Sequence, residues 1–291
     1  MKLTMILLLS ALLPGKAVNS APQPHPDSLL LVSWNVENLL DYRTDSTGRH
    51  TKSRFRSKCS SIAKTILLIA DSEWRIPDAV ALMEVGDRFV LEQLLRNTAL
   101  RKLDYSILHF DSPDRRGIDC ALLYRRSSFP ECEGKALHLF DENGRIMTTR
   151  DILSARFGPF ALLVNHHPSK VGGDSERRRS IAMARMNFAA DSLMRAGCRA
   201  VVACGDFNDD LWEDGSQGTI KYNGAWEKID GHFLWGEAAV NETVFLNSFL
   251  LERDRSFGGM KPRRSFSGPR FLGGVSDHLP LVLRIEILSG F

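Results

Sequence analysis

Residues 200–209 read AVVACGDFND. An apolar run of this length suits a buried strand, and it ends in Asp206 and Asn208, polar groups that a rigid strand would hold at its C-terminal end. The same pattern recurs along the chain. Leu29 to Trp34 (LLLVSW) runs into Asn35 and Glu37, Asp78 to Met83 (DAVALM) into Glu84, and Phe160 to Val164 into Asn165 and His166. Asp230 follows WEKI (226–229), and Asp277 and His278 precede a closing strand from Leu279 to Ile287. One charged residue at a strand end is ordinarily a turn or a solvated edge. Carboxylates, amides and imidazoles at so many ends together imply one shared pocket.

The intervening segments complete the architecture. Tyr105 to Phe110, Cys120 to Tyr124, Ala136 to Phe140 and Ile152 to Phe157 read as strands, and Gly158-Pro159 signals a turn between antiparallel neighbours. Ile62, Ile66 and Ile69 fall at helical spacing within Ser57 to Ala70, Asp87 to Leu100 reads as a second helix, and Ser175 to Ala196 as a long one with a basic face at Arg177 to Arg179. The Gly-, Arg- and Ser-rich stretch from Gly258 to Gly274 is expected to be loop. Hairpins interleaved with helices predict an α/β (α+β) fold of two mainly antiparallel sheets packed face to face, helices outside.

Composition narrows the class. With 43% hydrophobic and 25% charged residues, the 291-residue chain is not collagen-like, disordered or a multi-span membrane protein. Met5 to Leu13 is an apolar run after a basic start, broken by Pro14-Gly15, so residues 1–20 are expected to be a secretory signal peptide. The run is too short for a bilayer, which needs about 20 apolar residues, so no stable membrane insertion is expected. Residues 21–28 form a Pro-rich leader, and 29–291 are expected to be one domain of an exported, periplasmic or secreted monomer. Removing Lys2 and Lys16 would lower the net charge from +3 to +1, too little for bulk attraction to a polyanion. Cys120 and Cys204 lie in strand-like runs and should be buried thiols, whereas an exported chain could pair two of Cys59, Cys132 and Cys198.

The pocket's residue types select a chemistry. There is no G-x-S-x-G nucleophile and no G-x-x-x-x-G-K-[ST] loop, so acyl transfer and nucleoside-triphosphate hydrolysis fit poorly. Carboxylates and an asparagine carbonyl are hard oxygen donors suited to Mg²⁺, with Mn²⁺ or Ca²⁺ as alternatives. Histidines and asparagines can hydrogen-bond a phosphoryl group, and an aspartate can align water; together these parts suit phosphoester hydrolysis.

Seven segments, SWNVENL (33–39), LMEV (82–85), RGIDCALLY (116–124), VNHHPSK (164–170), CGDFND (204–209), WEKID (226–230) and SDHLPL (276–281), occur in an order that resembles the endonuclease/exonuclease/phosphatase superfamily. That resemblance implies a four-layered α/β sandwich with its site at one edge of the paired sheets. It also implies that Glu84 is the main metal ligand, with Asn35 and Asp277 beside it. Asp206 would align the attacking water, Asn208, His166 and His278 would hold the phosphate, and Asp230 would orient His278. His167 stands where many relatives carry an aromatic and reads as a spare ligand, a phosphate contact or a surface residue, the last two preferred; it and Asp119 are candidate supporting groups.

The substrate implied is nucleic acid, DNA ahead of RNA, with Arg115-Arg116, Arg125-Arg126, Arg177 to Arg179 and Lys261 to Arg264 as candidate phosphate contacts or simply solvated surface. The alternative is a phosphatase or phosphodiesterase acting on inositol phosphates, lipid headgroups or other small phosphoesters. A non-catalytic nucleic-acid-binding module would be expected to have lost some of these positions, and none is lost.

Overall fold

A computed structural model describes residues 28–170, 172–213 and 217–288. The expected signal peptide and nearly all of the Pro-rich leader lie outside the described residues. In chain order the elements are β1 (Ser28–Leu39), α1 (Lys52–Ser72), β2 (Ala79–Val85), α2 (Arg88–Arg96), β3 (Tyr105–His109), β4 (Asp119–Arg125), β5 (Glu133–Leu137), β6 (Ile152–Phe157) and β7 (Phe160–His166). Then follow α3 (Ser175–Arg195), β8 (Ala200–Asp206), a small hairpin of β9 (Ile220–Tyr222) and β10 (Ala225–Glu227), β11 (Asp230–Gly236), β12 (Ala238–Val244), four short strands and β17 (Leu281–Ile287). The short strands are β13 (Leu251–Arg253), β14 (Met260–Pro262), β15 (Phe266–Ser267) and β16 (Arg270–Phe271).

Alternation along each strand builds the layers. In β1, Leu30, Val32 and Trp34 face one way and pack with Ile62, Ile66 and Ile69 of α1 and Leu91 of α2. Leu29 and Leu31 face the other way and meet Leu162 and Val164 of β7 and Val202 and Cys204 of β8. On the far side, Ala161, Leu163, Val201 and Ala203 pack under Ala182, Met186 and Ala190 of α3. Both faces of the central strands are therefore buried, which is why they read as continuous apolar runs rather than alternating ones. The result is a helix–sheet–sheet–helix sandwich.

The first sheet has strand order β12-β17-β1-β2-β4-β3 and the second β11-β8-β7-β6-β5. Only the β1–β2 and β7–β8 pairs within them are parallel. Each parallel pair requires a crossover, supplied by α1 and α3. Asp87 caps α2 by accepting a 3.2 Å hydrogen bond from the Val90 amide, a contact worth about 1 kcal/mol.

Several expectations need correction. The stretch from Gly258 to Gly274 is not all loop, because it contains β14 and the β15–β16 pair. Asp230 does not close the strand before it, which ends at Glu227; it opens β11, which runs antiparallel to β8 and so begins at the edge where β8 ends. All five cysteines are free. Cys59 lies in the α1 layer, Cys198 in the α3 layer, and Cys132 borders the inter-sheet core, so whole sheets stand between the expected partners.

Candidate active site

The inward-facing rows of both sheets change character at one edge. Leu29, Leu31, Ser33 and Asn35 succeed one another on β1; Leu162, Val164 and His166 on β7; Val202, Cys204 and Asp206 on β8. Because β11 is antiparallel, its row runs in reverse, from Asp230 to His232 to Leu234. Strand register sets His166, Asp206 and Asp230 abreast on three adjacent strands. The apolar inter-sheet core thus ends in a polar cluster.

Glu84 reaches the same place through a bulge. The pairing of β2 shifts between Met83 and Val85 against both neighbours, and Glu84 has φ 61, in the left-handed region. Leu82 and Val85 both pack on the α1 side, leaving Glu84 as the extra residue, re-aimed toward the sheet edge. Glu37, Asn38 and Asn208 also have positive φ, at 51°, 52° and 51°. Such backbone costs about 1–3 kcal/mol per residue and is held by surrounding contacts. Here the contacts are the Asn38 amide donating to Glu84 Oε2 at 3.0 Å and the Asn208 amide donating to Asp206 Oδ1 at 3.0 Å.

Gly205 is required by close approach: its φ is +146° and an added Cβ would fall 1.9 Å from the Asn165 carbonyl oxygen. Gly205→Ala should cost about 2–5 kcal/mol through strain and overpacking, read as a lowered urea midpoint. An unchanged midpoint would show that β7 and β8 can separate freely.

Asn35 Nδ2 donates to Asp206 Oδ2 at 3.0 Å and lies 3.5 Å from Glu84 Oε1. His166 Nε2 lies 3.6 Å from Asp206 Oδ2 and 3.8 Å from Glu84 Oε1, and His278 Nε2 lies 3.8 Å from Asp206 Oδ2. His278 Nδ1 is 2.8 Å from Asp230 Oδ2. Burial and the neighbouring Asp230 carboxylate push Asp206 up to about 7. Burial alone would depress His278, but the Asp230 charge and hydrogen bond outweigh it and raise the imidazole well above its ordinary value. His166 goes the other way: burial, then Arg150 and Arg116, hold it well below the ordinary value, so it is a neutral ring.

Asp277 stands at the rim, where Arg264 Nη2 donates to its Oδ2 at 3.0 Å. Asn208 lies at the edge and donates through Nδ2 to the His167 carbonyl at 3.0 Å. His167 is neither surface nor positioned as a phosphate contact: it is buried edge-on against Phe207 at 5.0 Å. Burial, with Arg150 and Arg179 nearby, lowers its pKa to about 3. Asp119 turns away to His109 at 3.1 Å. Arg125-Arg126 lies at the opposite end of β4, where the Arg125 amide bonds the Asp78 carbonyl.

Other residues hold the centre together without having stood out in the sequence. The Trp34 indole donates to the His278 carbonyl at 2.9 Å, and Ser276 Oγ donates to the Asn35 carbonyl at 2.6 Å, tying the SDH loop to β1. Lys58, fully enclosed, donates to the Glu37 and Val275 carbonyls and to Ser265; burial brings its pKa down to about 8. Its spacing four residues before Ile62 placed it on the buried face of α1, a legible signal. Arg150 donates to the His167 carbonyl at 2.6 Å and pairs with Asp114, and no local pattern marks it. Trp34→Phe keeps most of the packing but strands the His278 carbonyl, a loss of about 1–3 kcal/mol by urea unfolding; an unaltered midpoint would mean that the carbonyl finds another donor.

The donor set accepts a divalent ion. Glu84 Oε1 and Asp206 Oδ2 both lie near Asn35 Nδ2 and His166 Nε2, Asp230 Oδ1 has no hydrogen-bond partner among the described residues, and ligand atoms of Asp206, Asp230 and His278 lie within 4.8 Å of one another. Buried carboxylates this close repel unless a cation offsets them. The fold and this edge together define a metal-dependent hydrolase of phosphoesters. A model of the Endonuclease/Exonuclease/phosphatase family matches residues 31–234, most of the chain, and the chain belongs to that family. No sequence match was found among curated proteins.

Solved structures share the fold. The human Nocturnin catalytic domain with bound sulfate anion is 19% identical, covers 90% of this chain and 95% of that one, and has a TM-score of 0.56. An endonuclease/exonuclease/phosphatase family protein from Bacteroides thetaiotaomicron is 15% identical over 90% of this chain and 99% of that one, with a TM-score of 0.54. Truncated Caenorhabditis elegans TDP2 is 19% identical over 89% and 98%, with a TM-score of 0.50. Among the described residues, no helix is long and apolar enough to cross a membrane.

Proposed function

We propose that the protein is an exported nuclease that hydrolyses nucleic-acid phosphodiester bonds, DNA ahead of RNA, as a monomer built on one catalytic domain. The observation that carries the substrate class is the distribution of arginine around the centre. Arg116, with an exposed side chain, lies close enough to His166 to depress its proton affinity, Arg179 Nε approaches Asp209 at 4.0 Å, and Arg264 sits on Asp277. Cations on several sides suit a substrate with phosphates flanking the one that is cleaved, and they supply locally what the small net charge does not. Export is supported by the apolar run of residues 5–13 with its basic start and helix-breaking exit.

Glu84 would hold the dication, Mg²⁺ first among the candidates, with Asn35 and Asp277 as neighbouring oxygen donors once Arg264 yields its contact. When bound, the ion neutralises a phosphate oxygen and supports charge that builds during attack. Asp206 accepts a hydrogen bond from the attacking water and aligns it. His278, kept protonated by Asp230, and the Asn208 amide donate to phosphate oxygens, and neutral His166 donates through one ring nitrogen to the same group. The test incubates purified protein with plasmid, single-stranded DNA, RNA and a soluble phosphomonoester in Mg²⁺, Mn²⁺ or EDTA. Cleavage of DNA that EDTA abolishes is expected. Turnover of the monoester with all nucleic acids intact would overturn the nuclease reading in favour of a small-phosphoester hydrolase.

A further inference from the structure

One strand away from Glu84, on the β3–β4 side of the first sheet, lies a second convergence of ligand-type side chains. His109 ends β3, Asp119 begins β4, and Asp111 stands in the connecting segment. One ligand atom from each lies within 4.8 Å of the others. His109 Nε2 and Asp119 Oδ2 are 3.1 Å apart, with both side chains enclosed, at 2% and 5% exposure. Two ligands at tetrahedral positions around zinc, each about 2.0–2.1 Å from the metal, would be separated by about 3.3 Å.

Among the described residues, no arginine or lysine forms an ion pair with Asp111 or Asp119, and the ion-pair partner of Asp119 is His109. Asp119 Oδ1 accepts the Ser112 amide at 2.9 Å, which orients the carboxylate and leaves Oδ2 for the cluster. A cavity of about 550 Å³ borders the group, lined by His109, Phe110, Asp111, Asp87, Arg88 and Phe89.

We propose that His109, Asp111 and Asp119 form a second divalent-metal site, distinct from the Glu84 centre, that takes a transition ion of the zinc type. The donor chemistry separates the two sites. At the Glu84 centre the ligands assigned to the ion are carboxylate and amide oxygens, which suit Mg²⁺, and the histidines beside them are assigned to the phosphate, whereas here an imidazole nitrogen is itself a ligand beside two carboxylates, a set that favours Zn²⁺. Three protein ligands leave a further position for water or an anionic group entering from the cavity. A cation there also offsets the negative charge of Asp111 and Asp119. The site stands whether or not the substrate is nucleic acid.

The experiment saturates the full-length protein with Mg²⁺, titrates Zn²⁺ calorimetrically and counts metal after desalting. Wild type should take one more zinc per chain than His109→Ala, and Glu84→Gln should retain that zinc. Asp111→Asn, a change at an exposed position that leaves folding intact, should weaken it by about tenfold or more, the scale of effect seen when a metal's supporting groups are altered. An anomalous difference peak at the zinc edge between His109 and Asp119 should accompany it. The proposal is overturned if wild type takes up no such zinc, if His109→Ala and Asp111→Asn bind zinc as wild type does, or if Glu84→Gln alone removes it. Because the readout is metal content, loss of the nuclease reading would leave this result unaffected.

Discussion

Glu84→Ala should reduce phosphoester hydrolysis by about 10³-fold or more and abolish its response to added Mg²⁺. A divalent ion at a phosphoryl group supplies several kcal/mol of charge stabilisation, and each 1.36 kcal/mol is a factor of ten in rate, so losing the main ligand carries that scale of penalty. The bulge at Met83–Val85 aims this one side chain at the edge, Asp277 is engaged by Arg264, and the remaining carboxylates, Asp206 and Asp230, are given in this scheme to the water and to His278. Alanine must still adopt the left-handed backbone at position 84, so the thermal melt should be measured alongside to separate unfolding from lost chemistry. Full activity in a folded variant, with the same Mg²⁺ dependence, would rule out Glu84 as the metal anchor.

His278→Ala and Asp230→Asn form the second large effect. Removing a preorganised charge stabiliser costs about 10²–10³-fold in turnover, and His278→Ala should fall in that range with substrate affinity less affected. Asp230→Asn should produce a comparable loss although Asp230 does not touch the phosphate in this scheme. Its carboxylate both holds the ring at 2.8 Å and favours the protonated form. The double variant should lose little more than His278→Ala alone, because the two side chains act as one unit. Multiplicative losses in the double variant would show that Asp230 contributes independently, perturbing Asp206 rather than orienting His278.

Much of the architecture was readable from periodicity. Runs such as LLLVSW and AVVAC have both faces apolar, which marks strands between layers, and the isoleucines of α1 mark its packed face. Among the longer strands, β11 and β12 are not legible in the sequence; each lies at one edge of its sheet, and their half-exposed residues lack that continuous apolar signal. The polar strand ends were equally legible as candidates. The burial of His167 is not legible, because nothing local distinguishes a histidine enclosed against Phe207 from one in water.

What the residues themselves determined is the inventory: which runs can be buried, which ends are polar, and a set of oxygen and imidazole donors suited to a dication and a phosphate. What only the tertiary structure decided is adjacency. His166, Asp206 and Asp230 become neighbours through a parallel and an antiparallel pairing, Glu84 arrives through a bulge, and His278 is fastened by Trp34 and Asp230. The physical reason is that side-chain direction in a strand follows local alternation, whereas the partner across a sheet is chosen by the packing of the whole sandwich.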